Sequence, residues 1–450
     1  MTLTGKRTWA RCLALLLVSV SVAGAEPSAR ARYVFLFIGD GMGSNQVAAV
    51  DRALAAAGRD PLVLREFPVR GMQRTRSASD EITDSAAGGT ALATGVRTDN
   101  GMISMTPDGS VLRTLAEEAK SAGRKVGILS SVSLDHATPA VFYAHCHRRG
   151  SYSEIARQLA DSAVDFFGGG GLAGQAAEHP GEPDNLQRAI SNGFVVVRTR
   201  QALAELAPGG KVLAFNHRLA GSAALPSALD TLPDDIPLAE FTGACIRLLE
   251  QDKGFFVMVE GGKIDWACHD NDLGSMTAEL LAFDQAIRQA VAFSRLHADE
   301  TLIVVTADHE TGGLEALPGG PFSPEVLLGP TRSDSSLTGE MLARRAGYRF
   351  TSRGHTGADV CVWALGSGAG EFAGVQDNTE IARKIRAAME GDGRGAGQAV
   401  GVGDHPIQPT PGPSKEGNCR NPPLTPPRRG TGKNPPLNPS KEGNGKEPTP

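Results

Sequence analysis

The sequence lacks an excess of charge of either sign: 45 Lys and Arg face 50 Asp and Glu, a formal charge of −5, with an isoelectric point near 6.1. It therefore has no basic surplus of the kind that draws proteins onto nucleic acid, and no nucleic-acid partner is expected. Long apolar runs are scarce too. The one near the N-terminus, "CLALLLVSVSVAG", is too short to cross a bilayer comfortably, and no other run is longer, so stable membrane insertion is not expected. Cysteine is sparse: Cys12 lies in that run and Cys419 near the C-terminus. The remaining Cys146, Cys245, Cys268 and Cys361 are spaced unlike any metal knuckle. In an oxidising compartment they allow two bridges or none.

The two ends differ from the body. Lys6, Arg7 and Arg11 flank the apolar run, and small residues at 23–25 follow it. That is the pattern of a cleaved export signal over 1–25, which predicts a periplasmic or secreted protein. Residues 26–392 then form the expected catalytic domain. From 393 to 450 the chain turns to Gly, Pro, Asn and Lys, with "PSKEGN" and "NPPL" each occurring twice. Such a low-complexity tail has too few apolar groups to offset the entropy of ordering and is expected to be disordered.

Between the ends, apolar strand-like runs alternate with segments of helical spacing. "YVFLFIGDG" precedes "NQVAAVDRALAAAG", "LRTLAEEAKSAG" precedes "KVGILSS", and two further pairs end in "GFFVMVEGG" and "TLIVVTADH". Near-continuous apolar strands separated by amphipathic helices predict an α/β fold, a mainly parallel central sheet with helices on both faces. Ligands in such sheets collect beyond the carboxyl ends of the strands.

Those ends are unusually acidic. One strand runs into Asp40, another into "DHATPA", a third into Glu260 and Asp265, and a fourth into Asp308 and His309. Asp40 in "GDGMG" also has an ordinary account as a turn residue. Carboxylates gathered at one edge repel unless cations neutralise them, so the set implies metal. In "EGGKIDWACHD", Asp265 and His269 stand one helical turn apart if the segment is helical, and "SRGHTGADV" adds His355. Mixed imidazole and carboxylate donors suit zinc, whereas the oxygen donors Asp40, Thr138 and Glu260 suit magnesium. Ser85, in "TDSAAGGTA", reads either as a helix cap, like its neighbour Asp84, or as a nucleophile with open space around it. A divalent ion would lower the pKa of its hydroxyl, and one arginine of "HCHRRGSYSE" could grip two anionic oxygens.

These segments, taken in order from "FIGDGMG" through "TDSAAGGTALATG", "DHATPAVFYAH", "MVEGGKIDWACH" and "VVTADHETGG" to "GHTGADV", resemble the alkaline phosphatases. The resemblance implies that the fold is the family's three-layer sandwich and that Ser85 is phosphorylated in turnover. It makes Asp40, Asp308 and His309 the ligands of the zinc that activates Ser85, and Asp265, His269 and His355 those of a second zinc. Thr138 and Glu260, with Asp40 bridging, match the magnesium site, and Arg149 the phosphate clamp. His136 and Trp266 depart from the best-known bacterial pattern, where Asp and Lys stand, which bears on the water network around the magnesium. Phosphate monoesters are the implied substrates and a homodimer the implied assembly. The alternatives are a phosphodiesterase of the same superfamily and a non-catalytic metal- or phosphate-binding exported protein. A sulfatase is disfavoured, because "SAAGG" lacks the Pro and Arg that follow a sulfatase nucleophile.

Overall fold

The computed structural model describes residues 30–391, apart from Glu178, Pro180 and 330–335. The expected leader and tail lie outside the described residues. Fourteen strands are present in that span. In chain order they are β1 (Tyr33–Ile38), β2 (Val69–Arg74), β3 (Lys125–Ser130), β4 (Phe166–Gly169), β5 (Phe194–Val197), β6 (Lys211–Phe215), β7 (Phe255–Glu260) and β8 (Thr301–Thr306). Then follow β9 (Glu310–Thr311), β10 (Leu314–Ala316), β11 (Tyr348–Phe350), β12 (His355–Thr356), β13 (Val360–Gly366) and β14 (Gly374–Asp377).

Ten of these form one sheet in the order β14-β2-β13-β8-β1-β7-β3-β4-β6-β5. The central pairs β1 with β7, β1 with β8 and β3 with β7 are parallel, as the alternation of strand and helix predicts. The exception is β13, antiparallel to both β2 and β8. The chain between β8 and β13 makes two small antiparallel pairs, β9 with β12 and β10 with β11, with the short helices Pro324–Leu328 and Ser336–Arg345 between β10 and β11, so β13 is not reached by a simple βαβ crossover.

Every residue of β1 is buried, and the side-chain period of two divides it between two cores. Tyr33, Phe35 and Phe37 enter one core with Val50 and Leu54 of helix Ser44–Ala56, Phe241 of helix Leu238–Leu249 and Phe283 of helix Leu273–Ser294. Val34, Leu36 and Ile38 enter the other, with Leu115 of helix Leu115–Ser121, Leu159 of helix Tyr152–Asp161 and Ile381 of helix Asn378–Glu390. Helices therefore cover both faces, giving three layers. Two helices start at capping boxes, Thr114 with Glu117 and Asp377 with Glu380.

The segment between His309 and His355 supplies β10 and β11 and a short helix, Pro324–Leu328, whose Val326 and Leu327 join the first core. Cys146, Cys245, Cys268 and Cys361 are all unpaired. No described helix is long and apolar enough to cross a membrane.

Because β1 is packed on both faces, truncating one of its side chains leaves a cavity that helices held by several other contacts cannot close. Phe35→Ala should lower unfolding stability by about 3–5 kcal/mol in urea titration; a loss below about 1 kcal/mol would contradict the two-sided packing of this strand.

Candidate active site

The polar strand ends meet at one edge, where the sheet topology puts the carboxyl ends of β1, β3, β7 and β8 side by side. Glu260 is the last residue of β7; Asp40 and Asp308 lie two residues beyond β1 and β8. All three are buried, as is His309. From the β3 side, the short helix Ala137–Ala140 brings in Thr138, whose hydroxyl donates to Asp40 Oδ2 at 3.3 Å.

Three sets of donor atoms converge to within 4.8 Å: Asp40, Asp308 and His309; Asp265, His269 and His355; and Asp40, His136 and Glu260. Asp265 and His269 lie on helix Lys263–His269, with His269 Nε2 3.3 Å from Asp265 Oδ2. His355 begins β12, and its Nε2 is 3.7 Å from Asp265 Oδ1. The rings of His309 and His355 stack at 3.6 Å, so the first two sets are neighbours. The third set contains His136 alongside Asp40 and Glu260. His136 meets the half-buried Trp266 edge to face at 6.2 Å.

Ser85 is the first residue of helix Ser85–Thr94, and the cap is Asp84, which accepts from Ala87 N at 3.0 Å. With capping supplied by its neighbour, the Ser85 hydroxyl turns inward. It lies 3.2 Å from His309 Nε2 and 3.5 Å from Asp40 Oδ1. Asp84 also takes Gly101 N at 3.1 Å and Arg149 Nη1 at 2.9 Å. Of the two adjacent arginines, it is Arg149 that reaches inward; its Nη2 is 3.3 Å from His136 Nε2.

Burial and mutual repulsion set the protonation of this cluster. Burial, then the charges of Asp308, Asp265 and Glu260, hold Asp40 well above the usual carboxylate range. Burial pushes Glu260 up to about 7, and burial with the charges of Asp265 and Glu260 pushes Asp308 up to about 8. For Asp265 burial acts upward as well, but hydrogen bonding to His269 and the positive charge on its histidine neighbours hold it below its ordinary value. The same hydrogen bond raises His269 to about 9. Burial lowers His309 and His136 to about 3, aided by the positive charge of His355 and of Arg149 respectively. The carboxyls of Glu260 and Asp308, which hold protons near neutral pH when bare, next to the neutral imidazoles of His309 and His136, suit divalent cations. Two buried oxygens point the same way: Asp308 Oδ2 and Glu260 Oε1 have no hydrogen-bond partner among the described residues.

Two residues of the site carried no expectation from sequence. Thr311, fully buried, donates to Asp265 Oδ1 at 2.6 Å and lies 3.2 Å from His309 Nδ1, so one hydroxyl links two of the donor sets. Gly41, at φ 68°, passes so close that a Cβ would stand 2.8 Å from both Asp265 Oδ1 and Thr311 Oγ1. The adjacency of Thr311 to "ADH" was visible in the sequence; its partner across the sheet edge was not.

A parallel sheet whose carboxyl edge carries paired carboxylates and imidazoles, a serine at a helix start and a half-buried arginine defines an α/β enzyme with a centre suited to divalent ions. The family model described as alkaline phosphatase matches residues 31–333 and 330–390. Among curated proteins, the chain is 31% identical to alkaline phosphatase 4 of Bacillus subtilis, over 81% of this chain and 90% of that one. It is 33% identical to the streptomycin-6-phosphate phosphatase of Streptomyces griseus, over 86% and 98%. Among solved structures, the alkaline phosphatase of the Antarctic bacterium TAB5 superposes with a TM-score of 0.68 at 29% identity, covering 81% of this chain and 99% of that one. The cold-active alkaline phosphatase of a psychrophilic Shewanella gives 0.71 at 29%, covering 79% and 99%. The chain belongs to the alkaline phosphatase family and is a phosphoric monoester hydrolase.

Above pH 7 the histidines of the unfolded chain are already neutral, so the groups with raised pKa decide the pH dependence of the metal-free protein. Glu260, Asp308 and His269 hold protons in the folded state that the unfolded chain has released. The folded state therefore binds more protons, and stability falls as pH rises from about 7 to about 9. Melting temperatures in excess chelator should decline across that window, and a rise would contradict the assigned shifts. Thr311→Val should weaken divalent-cation binding by about 10–100-fold in competition with a chromogenic chelator, the usual cost of losing a hydrogen bond to a ligand.

Proposed function

We propose that the protein hydrolyses phosphate monoesters through a phosphoserine on Ser85, using two zinc ions and one magnesium ion. The observation that carries this reading is the Ser85 hydroxyl, buried at a helix start within 3.5 Å of both His309 and Asp40. Asp40, Asp308 and His309 would hold one zinc, and Asp265, His269 and His355 the other; Asp40, Thr138 and Glu260 would hold magnesium. The two sets with His309 and with His269 and His355 fit zinc; Asp40 and Glu260, with the Thr138 hydroxyl that donates to Asp40, offer the oxygen donors magnesium prefers, and His136 in the same set would influence its filling. When bound, the ions supply Lewis acidity that favours the alkoxide of Ser85 and offsets charge on the entering and leaving oxygens.

Ser85 Oγ attacks phosphorus in line, the bond to the ester oxygen breaks, and the alcohol leaves. Water then attacks the phosphoserine, releasing phosphate and restoring Ser85. The positive pole of helix Ser85–Thr94, at whose first residue Ser85 stands, favours the incoming anion. Arg149 offers paired N–H donors to the equatorial oxygens, and Asp84 fixes the direction of its guanidinium. The leader-like N-terminus supports a periplasmic or secreted location.

The test is hydrolysis of p-nitrophenyl phosphate and of its bis-ester near pH 9 with zinc and magnesium. Monoester activity should dominate, vanish on chelation and fall at least about 10³-fold in Ser85→Ala, the scale expected when a nucleophile is removed. Preference for the bis-ester would favour the diesterase reading, and activity indifferent to Ser85 would remove it as nucleophile.

A further inference from the structure

Helix Lys263–His269 carries Asp265 and His269, yet it is seven residues long and its N-cap, Gly262, offers no side-chain cap. A helix this short does not hold its place by its own hydrogen bonds. Its C-terminal end is tied down by Asp272 N to Ala267 O and by His269 Nδ1 against Arg353 O. At the N-terminal end stands a lysine, the wrong charge for the positive pole of a helix. Lys263 is also buried, its side chain 9% exposed, and its Nζ lies 2.9 Å from Oε1 of Glu279, itself 8% exposed.

Glu279 belongs to the 22-residue helix Leu273–Ser294, which packs into the first core through Leu280, Phe283 and Ile287. The chain reverses between the two helices at Asn271, whose φ of 54° is a left-handed conformation that asparagine tolerates. That reversal brings Lys263 back over Glu279. Glu279 Oε1 also accepts Ala228 N at 2.9 Å, so the carboxylate is fixed from a second direction. Lys263 N donates to Ser131 Oγ at 3.3 Å, next to the end of β3.

We infer that the Lys263–Glu279 pair is a positioning clamp that sets the short helix, and with it Asp265 and His269, against His355. This rests on the metal-site reading proposed above. A buried ion pair is weak evidence for stability, since apolar replacements of similar size commonly fold as well. Its distinctive contribution is direction: one charge on the short helix is locked to one charge on the longest helix of the described residues, two residues before Asp265. Apolar side chains filling the same space would leave the short helix free to slide and rotate by fractions of an ångström.

The double variant Lys263→Met with Glu279→Gln removes both charges, leaves neither unpaired and keeps an amide oxygen to accept Ala228 N. The full-length enzyme and this variant would be stripped with chelator and titrated with Zn²⁺ against a chromogenic chelator, with melting temperatures measured on the stripped proteins. The expected result is a stripped variant that melts like the parent but binds one zinc about 10–100-fold more weakly, with activity recovered at excess zinc. Parental zinc affinity in the variant would overturn the inference. Loss of all zinc together with a lowered melting temperature would also overturn it, showing a structural role only. A parent that takes up no zinc would refute the metal-site reading itself, a separate and recognisable failure. Should the double variant not fold, Glu279→Asp keeps the charge but shortens its reach by one carbon; there, unchanged zinc affinity would overturn the inference and a selective loss at one ion would support it.

Discussion

Four carboxylates, Asp40, Glu260, Asp265 and Asp308, are buried at one edge of a parallel sheet, and their repulsion is the constraint around which the rest is arranged. Like charges in a medium of low polarity cannot all be ionised without cations. The fold brings them together regardless, because β1, β7 and β8 are adjacent and their carboxyl ends point the same way. Strands buried on both faces hold those ends rigidly, so the cluster cannot relax by spreading. Bound protons, as on Glu260 and Asp308, or divalent cations are the remaining means of relief, and the three convergent donor sets suit the latter.

Around the carboxylates stands a second layer of groups that fix direction, either neutral hydroxyls or carboxylates each matched to a cation. Thr311 links Asp265 to His309, Thr138 donates to Asp40, and Asp84 caps the helix that presents Ser85 while holding Arg149. Lys263 and Glu279 do the equivalent work, on our inference, for the helix that bears Asp265 and His269. Each joins two segments distant in sequence, so the geometry of the site depends on the packing of the whole sheet edge.

Much of this was legible in the chain. The apolar runs ending in Asp40, Glu260 and Asp308 became parallel strands with those residues at or just past their ends, because unbroken Val, Ile, Leu and Phe runs suit only a sheet covered on both faces. The helical spacing of Asp265 and His269 was equally readable. The reversed strand β13 was not, since its direction follows from the excursion that precedes it, whose pairs β9 with β12 and β10 with β11 join segments far apart in the chain, and no local pattern encodes them.

The sequence by itself determined which groups could act: a serine at a helix start, carboxylates at strand ends, and histidines and arginines beside small residues. Local patterns suffice for that, because strand ends and helix starts are set by neighbours in the chain. Only the tertiary structure decided the rest. It made Asp84 the cap and turned Ser85 inward, it set the Arg149 guanidinium on Asp84, and it put His136 into a donor set with Asp40 and Glu260. Those choices are made by contacts across more than forty residues of sequence in the case of Ser85 with Asp40, and more than two hundred in that of Ser85 with His309. No local pattern carries information over such separations; the order of strands in the sheet does.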